Sequence, residues 1–289
     1  MMNKFAVIDI GSNSVRLMFV ADGKVLYKDL NTTRLGEGLA ERPHLKAEAI
    51  ERSAQAVASF YEKAKNEGAQ TVLAFATAAV RTAENRAEFL NRVKTLCGLE
   101  IEVISGEEEA EIGILGALGN ADGGVVDIGG ASTEIVVKKD GALIYKKSID
   151  IGVVRLKDQC GRDKAALEQV TQAAVKQYGE IPLRSAIYAI GGTATTLAAI
   201  KLGLTEYNSE KITGTVITAE ELQAIADKLL LTPVEEIAKM PCMPKGRADV
   251  IAGGATALAV LMKKLRIEKV VVSDRDNLEG YAVKKGLKV

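Results

Sequence analysis

The sequence predicts an α/β protein built as two related lobes with a cleft between them. Three observations predict it: a segment near the start recurs near the middle, strands alternate with helices behind each copy, and the composition supports two cores. The chain has 289 residues, 47% hydrophobic and 26% charged. That is a globular composition and a length of about two domains at roughly 150 residues each.

The repeat comes first. VIDIGSNSVRLMFV (7–20) lies over VVDIGGASTEIVVK (125–138), so that Asp9 falls on Asp127, an offset of 118 (127 − 9). At the same offset Asp22-Gly23 falls on Asp140-Gly141 and Tyr27-Lys28 on Tyr145-Lys146, with no gap. Each copy reads as an apolar strand (5–8, 125–126) ending in Asp-Ile-Gly, a small polar turn and a second strand (15–20, 135–137). An Asp-Gly hairpin turn and a third strand follow.

Behind the first copy, apolar positions at helical spacing predict a helix over 46–67. A strand over 72–76, a helix over 81–95, a strand over 101–104 and a helix over 107–118 complete the lobe. Behind the second copy, helices are predicted over 163–178, 193–202, 219–230 and 246–265, with strands at 187–190 and 270–272. Strands alternating with helices of this length indicate α/β lobes. The boundary is placed near Asp122-Gly123-Gly124, giving lobes 1–122 and 123–289.

The repeated turns suit phosphate. Backbone N–H groups in a concave turn hold an anion, and glycine lets the backbone approach closely. The candidate cradle is Gly11, Ser12, Asn13 and Ser14 in one lobe and Gly129, Gly130, Ala131, Ser132 and Thr133 in the other. Gly191, Gly192 and Thr193, between a strand and a helix, form a third wall. Asp9 and Asp127, at strand ends, suit Mg²⁺ held through water. One Asp-Gly pair alone reads more readily as a tight turn; two copies in register, each followed by hydroxyls, favour a phosphate clamp.

Other classes are disfavoured. Lys+Arg and Asp+Glu are both 38, so no global field attracts nucleic acid or anionic lipid. Cys97, Cys160 and Cys242 lack metal-ligand spacing and a disulfide pattern, which fits a reducing cytoplasm. His44 is the one histidine, which argues against a Ser-His-Asp triad and a histidine metal cluster. The apolar start is broken by Asp9, Gly11, Ser12, Asn13 and Arg16 and reads as neither signal peptide nor membrane span.

At these motifs the chain resembles the Ppx/GppA family of exopolyphosphatases and guanosine pentaphosphate phosphohydrolases. The resemblance rests on AVIDIGSNSVRL (6–17), AFATAAVRTAENRAEF (74–89), EVISGEEEAEIG (102–113), VVDIGGASTEIVV (125–137), AIGGTATTLAA (189–199) and RADVIAGG (247–254). It implies a duplicated actin/Hsp70/sugar-kinase-like fold and hydrolysis of terminal phosphoanhydrides. It further implies Glu109 as general base, Arg81 as the arginine on the reacting phosphate, and Asp127 and Glu134 orienting water. Asp9, Asp127 and Glu134 would hold Mg²⁺, or Mn²⁺ in its place. Inorganic polyphosphate is the implied substrate, with guanosine pentaphosphate as the alternative, and the implied assembly is a homodimer. A kinase of the same superfamily and a non-catalytic polyphosphate- or nucleotide-binding module stay open. Ser105, Glu108 and the acidic first turn also read simply as a helix cap. Arg16, two positions after Ser14, ranks lower because it also reads as an outward strand residue. Two departures stand out: Ala131 replaces the third glycine of the second loop, and the usual Gly-Leu-Arg-Glu-Gly near the end is Asp276-Asn277-Leu278-Glu279-Gly280, without its arginine. The chain resembles the short, two-lobe form of the family.

Overall fold

The computed structural model describes residues 3–182 and 187–289. Its first sheet holds β1 (Lys4–Ile10), β2 (Val15–Ala21), β3 (Lys24–Asn31), β4 (Thr71–Ala76) and β5 (Glu102–Val103), in the order β3-β2-β1-β4-β5. The first three strands are an antiparallel meander, and β4 and β5 run parallel to β1. Helices α1 (Ala47–Asn66), α2 (Ala78–Thr82), α3 (Arg86–Cys97) and α4 (Gly106–Leu118) belong to this half of the chain.

The second sheet repeats the plan with β6 (Gly123–Ile128), β7 (Thr133–Lys139), β8 (Ala142–Ile149), β9 (Ile187–Ile190), β10 (Val216–Thr218) and β11 (Lys269–Val272). Its order is β10-β11-β9-β6-β7-β8. Its helices are α5 (Val153–Cys160), α6 (Lys164–Val175), α7 (Gly191–Leu202), α8 (Ser209–Ile212), α9 (Ala219–Leu231), α10 (Val234–Ala238), α11 (Ile251–Leu265) and α12 (Asn277–Lys284).

The sequence repeat is a structural repeat in register. β2 and β3 begin and end at residues that map, at the same offset, onto the ends of β7 and β8. Asp22 and Gly23 have φ of 50° and 74°, and Asp140 and Gly141 have φ of 52° and 76°. Two successive left-handed residues make the turn whose twist suits a tight hairpin. Even the ladder irregularity recurs, between Phe19 and Val20 in one copy and between Val137 and Lys138 in the other.

The helix expected over 81–95 is instead two. Ala83 is extended (ψ 131°), Glu84 N–H donates to the Pro43 carbonyl, and Asn85 bonds both the N–H and the carbonyl of Leu45. These contacts outcompete helical hydrogen bonds at 83–85. Arg81 therefore sits on the short helix α2, behind β4. The helix expected from 246 begins at Ile251. α5, α8, α10, α12 and β10 were not legible in the pattern; all are eight residues or fewer.

The two helices at the cleft floor are exchanged between the sheets. Ala110 and Ile114 of α4 pack with Val125, Val136 and Ile190 of the second sheet. Leu278, Tyr281 and Ala282 of α12, the last helix, pack with Phe5, Val7, Met18, Val20 and Phe75 of the first. α4 and α12 cross at Gly116 and Gly280, where a Cβ on either would overlap a carbonyl oxygen of the other segment (Asp276 or Ile112). Among the described residues no helix is long and apolar enough to cross a membrane.

Candidate active site

Asp9 and Asp127 stand at equivalent places, the penultimate residues of β1 and β6. Their loops face one another across a cavity of about 80 Å³. Ligands commonly sit at the carboxyl ends of such strands. The cavity is lined by Asp9, Gly11, Ser12, Asn13 and Ser14 from the first lobe and by Asp127, Gly129, Gly130, Ala131 and Ser132 from the second. Gly191, Gly192, Thr193 and Glu109 complete the sequence-derived part of the wall. The two loops touch: a Cβ on Gly130 would lie 2.7 Å from Ser12 Cβ and 3.0 Å from Asn13 N. Gly191 has φ of 76°, and a Cβ there would strike the Asp127 carboxylate. Ala131 lies outside the left-handed region and is buried, so its methyl costs the loop no strain.

Glu109 is carried by the first turn of α4. Ser105 accepts from Glu108 N–H, and Glu108 accepts from Ser105 N–H, a reciprocal cap of about 1 kcal/mol. The cap and the site coexist: Glu108 fixes the turn, and Glu109 points into the cavity. Glu109 is 6% exposed and accepts a hydrogen bond from Arg81 Nη1 at 2.9 Å, which also donates to the Ile104 carbonyl at 3.1 Å. Burial pushes its carboxyl up to about 7 against the pull of Arg81. Burial, reinforced by Asp276, pushes Asp127 up to about 8. Asp9 and Glu134 are likewise raised by burial, Asp9 despite its bond to Arg16.

Three sequence-derived residues lie off the cavity wall. Thr133 turns its hydroxyl to the Ile151 carbonyl at 2.6 Å, so it braces the loop and has no donor left for phosphate. Glu134 is buried behind the wall on β7, opposite Asp127 in the ladder, with Oε1 on Ser148 and Oε2 without a partner. Arg81 is at the rim, reaching the site through Glu109. The lysine pairs at 138–139, 146–147 and 263–264 also stay off the wall; Lys146 is held by Glu107 and Glu111.

Sequence reasoning missed several wall residues, Arg247 and Asn277 chief among them. Arg247 is buried and bonds the Gly192 carbonyl and Thr196 Oγ1, with no carboxylate in contact. Burial, and then Arg16, lower it to about 10. A buried guanidinium without a counter-ion, beside a backbone cradle, is suited to take up an anion. It opens a motif already noted, RADVIAGG, and only its depth was hidden. Asn277 donates to Asp127 Oδ2 at 3.3 Å. Arg16, ranked low, is central: it pairs with Asp9 and with Asp276. Asp276 is held below the usual carboxylate range because Arg16 and Lys28 outweigh its burial.

The donor set fits Mg²⁺ held through water. Asp9 Oδ1 and Glu134 Oε2 are buried without hydrogen-bond partners, and Asp127 and Glu109 add further buried carboxylates. Among the described residues no three His, Cys, Asp or Glu converge as a direct cage. One or two carboxylates plus waters is the usual arrangement for this ion.

The model of the Ppx/GppA phosphatase family matches residues 17–288. The chain belongs to the Ppx/GppA phosphatase family. Exopolyphosphatase 2 of Mycobacterium tuberculosis is 32% identical to it, over 98% of each chain. Among solved structures, an exopolyphosphatase-like protein superposes with a TM-score of 0.88 at 28% identity, covering 98% of both chains. The Aquifex aeolicus Ppx/GppA family member superposes with a TM-score of 0.79 at 30% identity, over 99% of this chain and 98% of that one. The Ppx/GppA match spans both lobes, and the segment before residue 17, with the first loop, lies within the reach of these relatives.

Proposed function

We propose that this Ppx/GppA protein is an exopolyphosphatase that removes the terminal phosphate of inorganic polyphosphate. The observation that carries the reading is Glu109: a buried carboxylate with its pKa near 7, on the wall of a glycine-loop cradle, bonded to an arginine. A purely sensing module has no need of a carboxylate poised to titrate near neutrality.

The terminal phosphate sits between the loops at Gly11–Ser14 and Gly129–Ser132, with Gly191, Gly192 and Arg247 on the third side. Backbone N–H groups and Arg247 take up charge on its oxygens. Arg81 moves from Glu109 to the phosphate, which leaves Glu109 free to accept a proton from water. The water oxygen bonds to the terminal phosphorus as the bridging P–O bond breaks. The electron pair leaves with the shortened chain, and orthophosphate is released. Thr133 and Asn277 hold the second loop and Asp127 in place. Asp9 and Asp127 on the wall, with Glu134 behind Asp127, would hold Mg²⁺ through water, and the ion would supply charge neutralisation on the phosphates. The two lobes divide the chain near residue 122, except that α4 packs on the second sheet and α12 on the first. The cytoplasm fits three free cysteines, and a homodimer follows from the family resemblance alone.

The test is phosphate release by the purified protein with Mg²⁺, comparing polyphosphate with guanosine pentaphosphate. Preferential release from polyphosphate supports the reading. Preferential release from the nucleotide, transfer of phosphate to an acceptor, or binding without turnover each overturns it.

A further inference from the structure

Beside the phosphate cradle lies a much larger cavity, about 950 Å³. The two share Arg16, Gly191, Gly192 and Arg247, so the cradle opens into the larger space between two arginines. A polyphosphate whose end fills the small cradle has room for its tail in this larger space. The arginines are not equivalent. Arg247 has no carboxylate in contact among the described residues, whereas Arg16 is bonded to both Asp9 and Asp276. Asp276 belongs to the larger cavity and not to the cradle. Beside it, Lys28 is shared by Glu279 at 2.8 Å and Asp274 at 3.7 Å. Asp274, Asp276 and Glu279 thus share Arg16 and Lys28 along one edge of the larger cavity, with Asp9 holding Arg16 from the cradle side.

The local sequence puts Asp276 there. It is the N-cap of α12, its Oδ1 accepting from Leu278 N–H at 3.1 Å, while its N–H donates to Glu279. That leaves Oδ2 for Arg16. The cap needs a side-chain acceptor, not a charge; asparagine caps as well as aspartate.

Resting on the exopolyphosphatase reading, we infer that Asp276 is a specificity-determining residue: by occupying Arg16 and adding a carboxylate to the passage, it disfavours substrates whose anionic tail extends beyond the cradle. Tripolyphosphate places little charge past Arg16, while a long chain places a phosphate there for every unit. Removing the charge at 276 gives Arg16 donors back to the tail and lifts the repulsion.

The experiment measures kcat and KM for tripolyphosphate and for long-chain polyphosphate in wild type, Asp276→Asn and Asp276→Gly. The ratio of kcat/KM, long over short, should rise about tenfold in Asp276→Asn, the size of one charge-assisted hydrogen bond gained. The gain should appear in KM more than in kcat. Asp276→Gly repeats the charge change without the cap, so a ratio that rises in both variants separates charge from helix stability. An unchanged ratio, or an equal loss on both substrates as a merely structural residue would give, overturns the proposal. Calorimetric binding of the same two polyphosphates reads the same ratio without turnover. A shifted binding ratio with no hydrolysis would sink the exopolyphosphatase reading and leave the role of Asp276 standing.

Discussion

Arg16 and Glu134 occupy the same position in the two copies of the repeat, each directly across its ladder from the loop aspartate. Asp9 faces Arg16 and Asp127 faces Glu134. Directly opposed residues project on one face of a sheet and interact. The first lobe therefore neutralises its aspartate internally, while the second stacks two buried acids. Duplication produced the cradle, and this one divergence made its two sides electrically unlike.

That asymmetry predicts how the ion and pH act together. Asp127 and Glu109 are raised to about 8 and about 7, above the values of an unfolded chain. Groups raised in this way favour the fold below their unfolded pKa, and the benefit is lost as pH rises through the folded values. In chelator, the melting temperature should fall between pH 5 and pH 8. Mg²⁺ should restore it by at least about 3 °C at pH 8 and leave it unchanged at pH 5. Thermal scans at both pH values, with and without Mg²⁺, check this; an equal effect at both would contradict it.

Glu109→Gln keeps shape and polarity but removes the proton acceptor. Phosphate release should fall by about 100-fold or more, while polyphosphate binding changes less than about threefold. Single-turnover kinetics beside equilibrium binding separates the two. Turnover close to wild type would remove Glu109 from the chemistry.

Arg81→Met should move the acidic limb of the kcat/KM profile upward by about one pH unit, besides lowering the maximum. The sign follows from the pair: Arg81 favours the ionised form of Glu109, and losing it lets burial push the carboxyl further above 7. A lower maximum with an unmoved limb would place Arg81 on the phosphate alone.

Gly280→Ala and Gly116→Ala probe the crossing of α4 and α12. Each added methyl meets backbone that has no side-chain freedom to yield. Each should destabilise by about 3 kcal/mol or more. Urea denaturation reads it; a change below about 1 kcal/mol would show that the helices part easily.

Arg247→Gln should raise KM for polyphosphate about tenfold or more, because it removes the buried cation of the cradle. Steady-state kinetics tests this, and a KM close to that of wild type would move Arg247 out of the binding wall.

By itself the sequence determined the duplication, its register, both Asp–Gly turns, the cradle loops, and Glu109 on the first turn of its helix. All are local: turn chemistry, strand alternation and caps act over a few residues, and a repeat in register is visible without coordinates. Tertiary structure decided the rest. The break at 83–85 follows from Pro43 and Leu45 bonding that stretch from far along the chain. α12 is eight residues long with a glycine inside, too short for a periodic signal, and it holds because the first sheet receives Leu278 and Tyr281. Thr133 turned inward, Arg247 lost its counter-ion, and Asp276 reached Arg16 across 260 residues of chain. Burial and charge pairing depend on what the folded chain brings within a few ångströms, and spacing along the sequence does not encode that distance.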